Sequence, residues 1–164
     1  MPKVAYSDED RTRIREQLVV TALELMAKQG IQHTTVEQVY QAVGISRTFF
    51  YSFFPTKEDL IVETLYLQQP RVLSYAKQLM EDPALTWRQG VYQFIHACCY
   101  GERNGIAVMT VDEQRHLFRR LSPESYQAFR HKQASLFGQL LACFGLQATP
   151  SRVAIFTNLS LTAM

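Results

Sequence analysis

Apolar side chains recur every three to four residues along most of the chain, and the polar residues between them mark helix ends. Ile14, Leu18, Ala22, Leu25 and Met26 share one face of a helix predicted over residues 8–29, with Gly30 as its terminator. Thr35-Val36-Glu37-Gln38 reads as a capping box, and Val36, Val39, Tyr40 and Val43 follow the i, i+3, i+4, i+7 pattern, so residues 35–43 form a short helix. Gly44 can close that helix with a positive φ and Ser46 can cap the next. Ile45 and Phe50 stand at the N′ and N4 positions of a hydrophobic staple. Pro55 stops this helix after about eight residues, and Thr56 restarts the chain as an N-cap with Asp59 three residues on.

Two short helices joined by Val43-Gly44-Ile45 describe a helix-turn-helix, the unit whose second helix enters the DNA major groove. The rest of the chain is also helical in pattern. A helix from Thr56 to about Met80 contains Pro70, which predicts a kink or break between Tyr66 and Pro70. Residues 81–85 read as a polar turn, and Thr86 with Gln89 opens a helix to about Tyr100. Gly101 and Asn104-Gly105 interrupt the pattern before a helix predicted over 106–119. Ser122-Pro123 starts a helix to Phe144 that ends at Gly145, and Thr149-Pro150 repeats the start signal for a last helix with an apolar end. The fold class is all-α.

The first 65 residues resemble the TetR family of bacterial transcriptional repressors. The resemblance rests on the helix running into Gly30, Thr34-Thr35 with Val36 and Val39, Gly44-Ile45-Ser46, Phe50-Tyr51, and Phe54-Pro55-Thr56-Lys57-Glu58. Beyond residue 65 only helical character and length match. The sequence departs from the family pattern at Gln38, where an acidic residue is usual, at Tyr40, where a small one is usual, and at Phe53, where a phosphate-contacting histidine is common. The resemblance implies a helix-turn-helix DNA-binding domain over residues 1–55, then a helical ligand-binding and dimerisation domain over 56–164. It implies a homodimer on a palindromic double-stranded DNA operator, released when a small-molecule effector moves the helix that begins after Thr56. In the family the last two helices pair across the two-fold axis as a four-helix bundle. One and a half of those helices are not in this sequence, which leaves open a natural end or a missing C-terminal segment.

Composition changes this picture little. A hydrophobic share of 47% supports a core, no run approaches 18 apolar residues, and the N-terminus lacks an apolar signal segment, so a cytoplasmic protein without membrane insertion is expected. Net charge is only +2, so bulk basicity does not argue for DNA, although Arg11, Arg13 and Arg15 crowd the N-terminal arm and Arg47 and Lys57 flank the reading helix. Cys98, Cys99 and Cys143 form neither a disulfide framework nor a zinc spacing, and read as ordinary core thiols rather than redox sensors. His33, His96, His116 and His131 are scattered. Glu113 and His116 make one Glu-x-x-His where a carboxylate-bridged metal site needs two. No catalytic residue, metal site or cofactor is assigned, and an enzyme is not expected. The alternatives weighed are a helical ligand-binding or adaptor protein that has lost DNA affinity, and a metal-dependent bundle enzyme on Glu113 and His116.

Helix geometry selects the DNA-facing residues. With about 100° per residue and Phe50 and Phe54 pointing inward, Thr48, Phe49 and Ser52 lie opposite and Arg47, Tyr51 and Phe53 on the flanks. Arg47, Thr48 and Phe49 suit base edges, the last by apolar contact to a thymine methyl. Tyr51, Lys57 and the helix starts at Thr35 and Thr56 suit phosphates, and Ser46, Ser52 and Phe53 complete the DNA-facing set. Aromatic density between residues 66 and 137 suggests a cavity, with Tyr66, Trp87, Phe94, Cys98, Met109, His116 and Tyr126 as candidate lining, though such stripes are also ordinary core. Leu136, Leu140, Ile155, Leu159 and Met164 make the candidate self-complementary surface.

Overall fold

The computed structural model describes residues 6–162, with side chains as far as Asn158. It shows nine helices among those residues: α1 (Asp8–Gln29), α2 (Val36–Val43), α3 (Arg47–Tyr51), α4 (Lys57–Glu81), α5 (Trp87–Cys99), α6 (Gly101–Asn104), α7 (Val111–Arg120), α8 (Pro123–Cys143) and α9 (Pro150–Thr162). Local chemistry accounts for most of the boundaries. The Ser7, Thr35, Thr56, Thr86 and Thr110 side chains each accept from the backbone N–H three residues on, and the residue there bonds back to the cap. Gly44 takes the left-handed conformation, φ 80° and ψ 31°, at the turn between α2 and α3. A side chain there would meet no neighbour but would carry the backbone cost of that region, about 1–2 kcal/mol.

Three boundaries differ from expectation. The reading helix ends at Tyr51 rather than near Phe54, because the Ser52 hydroxyl donates to the Phe49 carbonyl at 2.7 Å and Pro55 disfavours helix at the residue before it. Phe53 and Phe54 then both donate their N–H groups to the Phe50 carbonyl. The helix predicted over 106–119 starts instead at Val111, since Thr110 and Glu113 form a capping box. Residues 106–109 form a crossing segment without regular secondary structure. Pro70 produces no break, for α4 runs unbroken from Lys57 to Glu81. Gln68 donates to the Ala107 carbonyl at 2.7 Å and accepts from the Ala107 N–H at 2.9 Å, while the Arg71 guanidinium donates to the Gly105 carbonyl. Both sides of the proline are thereby tied to the crossing segment, which offsets the backbone bond that the proline lacks.

Two apolar cores share α4. The first joins Leu18, Ala22 and Met26 of α1, Val39 of α2, Phe50 and Phe54, and Leu60, Ile61 and Leu65 of α4, with Leu117 and Phe129 closing it from α7 and α8. Phe50 and Phe54 are fully buried, and truncation of either to alanine would cost about 3–5 kcal/mol. The second gathers Ala76, Leu79, Phe94, Leu140 and Phe144. Leu140, expected on a self-complementary surface, is 3% exposed and belongs to this core. No helix among the described residues is long and apolar enough to cross a membrane.

Candidate nucleic-acid interface and cavity

Ser46, Arg47, Thr48, Tyr51 and Ser52 form one exposed face of α3. The face is held from behind. Ser46 caps the helix by accepting from the Phe49 N–H at 3.2 Å, and Phe50 beneath is anchored in the core beside Tyr40 and Phe54. The Arg47 guanidinium lies 5.8 Å from the Tyr51 ring centroid, so its stem runs along the helix surface with its donors still in solvent. Thr35 stands exposed at the start of α2, its hydroxyl occupied as the cap. Together these groups offer a long forked donor, hydroxyls, a phenol and a helix start on one side of the molecule.

Phe49 does not face outward as predicted. It is half-buried under the N-terminal arm, its ring stacked on Tyr6 at 4.5 Å and set edge-on to Phe53 at 4.9 Å. The Arg11 guanidinium covers both rings, 4.8 Å from Phe53 and 5.5 Å from Phe49. Rotation around a short helix cannot anticipate a lid supplied by residues 6–11. Phe53 is likewise half-buried, past the end of α3, so the 100° rule does not place it. Lys57 is also turned inward. Its ammonium donates to the Ile31 carbonyl at 3.0 Å, and burial pushes its pKa down while Glu58 and Glu113 oppose that shift. It ties α4 to the loop before α2 rather than standing free for a phosphate.

The capped pair α2–α3, its outward Arg47 and Thr48, and α1 packed behind it have close counterparts. Residues 18–64 match the family model described as bacterial regulatory proteins, tetR family. Over this N-terminal segment the chain is similar to the TetR family. The transcriptional regulator TcmR of Streptomyces glaucescens is 46% identical over 48 residues, which are 29% of this chain and 21% of TcmR. The regulator YjdC of Escherichia coli is 30% identical over 92 residues, 54% of this chain and 48% of YjdC. The chain thus spans less than half the length of these relatives. A TetR transcriptional regulator from Legionella pneumophila shares the fold with a TM-score of 0.59 at 17% identity, over 98% of this chain and 85% of that one. The TetR likeness in sequence is therefore concentrated in the helix-turn-helix module, and the likeness in fold extends across the helices behind it.

Behind that module lies a cavity of about 330 Å³, walled by α4, α5, α8 and the crossing segment 106–109, with Gln114 of α7 and Phe156 of α9 completing it. Phe94, Cys98 and Met109, three of the candidate lining residues, stand on its wall. Tyr66, Trp87, His116 and Tyr126 do not. Tyr66 is stacked on Phe129 under the Lys132 ammonium, which lies 3.8 Å from its ring centroid. Trp87 is 56% exposed and donates its indole N–H to the Phe144 carbonyl. Tyr126 packs edge-on to Phe118. Burial, and secondarily Cys99, raises the Cys98 pKa to about 11, which keeps that thiol neutral.

The lining also includes Gln68, Gln69, Gln114 and Gln133, which sequence reasoning passed over. Their signal was present, since Leu65, Gln68, Gln69 and Val72 have the i, i+3, i+4, i+7 spacing of one helix face.

His116 and Glu113, considered as metal ligands, are engaged otherwise. Glu113 accepts from the Thr110 N–H through one oxygen and from the Gln32 N–H through the other, both at 2.8 Å. His116 lies 3.7 Å from the buried Glu58 carboxylate, which Arg120 approaches at 3.3 Å. No group of three His, Cys, Asp or Glu suited to a metal occurs among the described residues. These contacts instead fasten α7, which carries Gln114 into the cavity wall, to the α1–α2 loop and the start of α4.

Proposed function

We propose that this protein is a ligand-responsive transcriptional regulator, a repressor that binds a palindromic operator as a homodimer and is released by a small-molecule inducer. The observation that carries the reading is the position of α7. One turn of it lines the cavity through Gln114, and the neighbouring Glu113 is bonded to Gln32 in the loop that leads into α2. A molecule entering the cavity would press on α4 and α7 together, and both are joined to the reading module. Arg47 and Thr48 would read bases, with Ser46, Tyr51, Ser52 and the α2 start at Thr35 on the backbone. The unit over residues 1–55 would read DNA and the helices from 56 onward would sense and dimerise.

Selection of bound sequences from random double-stranded DNA, using the whole 164-residue chain, tests this reading. An enriched inverted repeat with half-sites about one helical turn apart is expected. Absence of any enriched sequence would favour the alternative of a ligand-binding or adaptor protein without DNA affinity, and an enriched single half-site would sink the dimeric operator.

A further inference from the structure

The cavity wall contains no charged side chain among the described residues. Aromatic, aliphatic and sulfur groups make up most of it, and the only strongly polar side chains are the four glutamines. A charged ligand would leave water without a counter-charge to meet it, a heavy penalty in such surroundings. Two cations next to lining residues in sequence are engaged elsewhere, Arg71 with the Gly105 carbonyl and Lys132 with the Tyr66 ring.

The glutamines are not equivalent. Gln68 spends both ends of its amide on Ala107 and so builds the wall. Gln114 is 4% exposed, yet its amide makes no hydrogen bond among the described residues. Every fully enclosed side-chain nitrogen or oxygen among those residues has a partner, so the Gln114 amide must abut open space, and the space it borders is the cavity. An amide on the cavity wall that solvent reaches, that can donate and accept and that no described protein group engages, is the arrangement of a ligand-orienting group. Gln69 and Gln133, half-buried on the same wall, add further amide capacity.

We propose that the cavity takes an uncharged, mostly apolar small molecule whose oxygen or amide group is bonded by Gln114. This rests on the reading of the cavity as the effector site, and names the effector's chemical class.

Isothermal titration of the whole chain with four probes of one skeleton tests it: naphthalene, 2-acetylnaphthalene, 2-naphthoate and 2-(aminomethyl)naphthalene. The neutral ketone is expected to bind at least tenfold tighter than the anion or the cation. Gln114→Leu should weaken the ketone about three- to tenfold while leaving naphthalene unchanged or tighter. Gln114→Glu should shift preference toward the ammonium probe. If either ion binds wild type as tightly as the ketone, the uncharged class is overturned while the cavity stands as a binding site. If the ketone is preferred but Gln114→Leu leaves it unaffected, the role of Gln114 is overturned. If none of the four binds, the cavity is no effector site of this class and the ligand-responsive reading falls with it.

Discussion

The Glu113 carboxylate accepts a hydrogen bond from the Gln32 backbone N–H at 2.8 Å, across 81 residues of sequence. Its other oxygen closes the α7 capping box on Thr110. One side chain therefore fixes both the start of α7 and the loop that leads into the reading module. Glu113→Ala should lower unfolding free energy by about 1–2 kcal/mol, since a capping interaction and a charge-assisted bond to backbone are lost together. In the proposed regulator it should also reduce the loss of DNA affinity caused by a cavity ligand, with ligand-free DNA affinity within a few fold of wild type. Urea titration and binding measured with and without ligand check both. Unchanged stability would mean the bond is not formed in solution, and an unchanged ligand response would route coupling through α4 alone.

Arg47 and Thr48 are the outward groups of α3 best suited to base edges. Arg47→Ala is expected to cost about 1–3 kcal/mol at the preferred site and to relax selectivity at one position. Equal weakening on all sequences, with a shallower salt dependence, would make Arg47 a phosphate contact instead.

Phe49 sits between Tyr6 and Phe53 beneath the Arg11 guanidinium, which makes it a part of the scaffold. Phe49→Ala should destabilise the fold by about 1–3 kcal/mol, less than a fully buried phenylalanine because the ring is only half-buried. Its effect on DNA should be uniform across sequences. A change of base preference at a thymine position, with stability intact, would restore the groove-facing role expected from helix rotation alone.

The helix ends were legible where they are written locally. A Thr with its partner three residues on was enough to place the starts at residues 36, 57 and 87, Ser122-Pro123 placed the start at 123, and glycine marked the turn at Gly44. The same signal at Thr110 and Glu113 was passed over because Asn104-Gly105 suggested an earlier restart. What sequence could not supply depended on distant partners. The direction of Phe49 is set by Tyr6, that of Lys57 by Ile31, and the continuity of α4 at Pro70 by contacts to residues 105 and 107. Leu140 illustrates the same limit, for an apolar stripe on α8 fits an intersubunit face as well as the bed of Ala76, Leu79 and Phe94 that it occupies.

Cys98 and Cys99 adjoin in sequence but differ in burial, the first half-buried with its pKa raised to about 11, the second exposed. Only thiolate reacts with iodoacetamide. Against an ordinary value of 9.0, Cys98 should be alkylated about a hundredfold more slowly near pH 8, with a rate still climbing about tenfold per pH unit when that of an ordinary thiol has levelled off. Mass spectrometry of timed digests would follow each site. Cys98 labelling as fast as Cys99 would mean that the cavity wall at α5 opens readily.

Assembly is the proposal on which the two-fold operator depends, because one short α3 with few phosphate contacts binds weakly alone. Of the candidate interface residues, Leu140 is committed to the core, Leu136 is partly buried against it, and Ile155 is 58% exposed on α9. The side chain of Leu159 and the whole of Met164 lie outside the described residues. Exposure of a large aliphatic side chain on a helix packed chiefly along α8 makes Ile155 the residue to test. Ile155→Arg should give monomers with unchanged helicity and an unfolding midpoint close to wild type, and should lose binding to an inverted repeat while retaining weak binding to one half-site. Leu140→Arg, by contrast, should unfold the second core, because a guanidinium would be buried there without a partner. Sedimentation and circular dichroism of the two variants separate the cases. A dimer that survives Ile155→Arg would move the interface away from this face of α9, and a folded Leu140→Arg monomer would return Leu140 to the intersubunit surface.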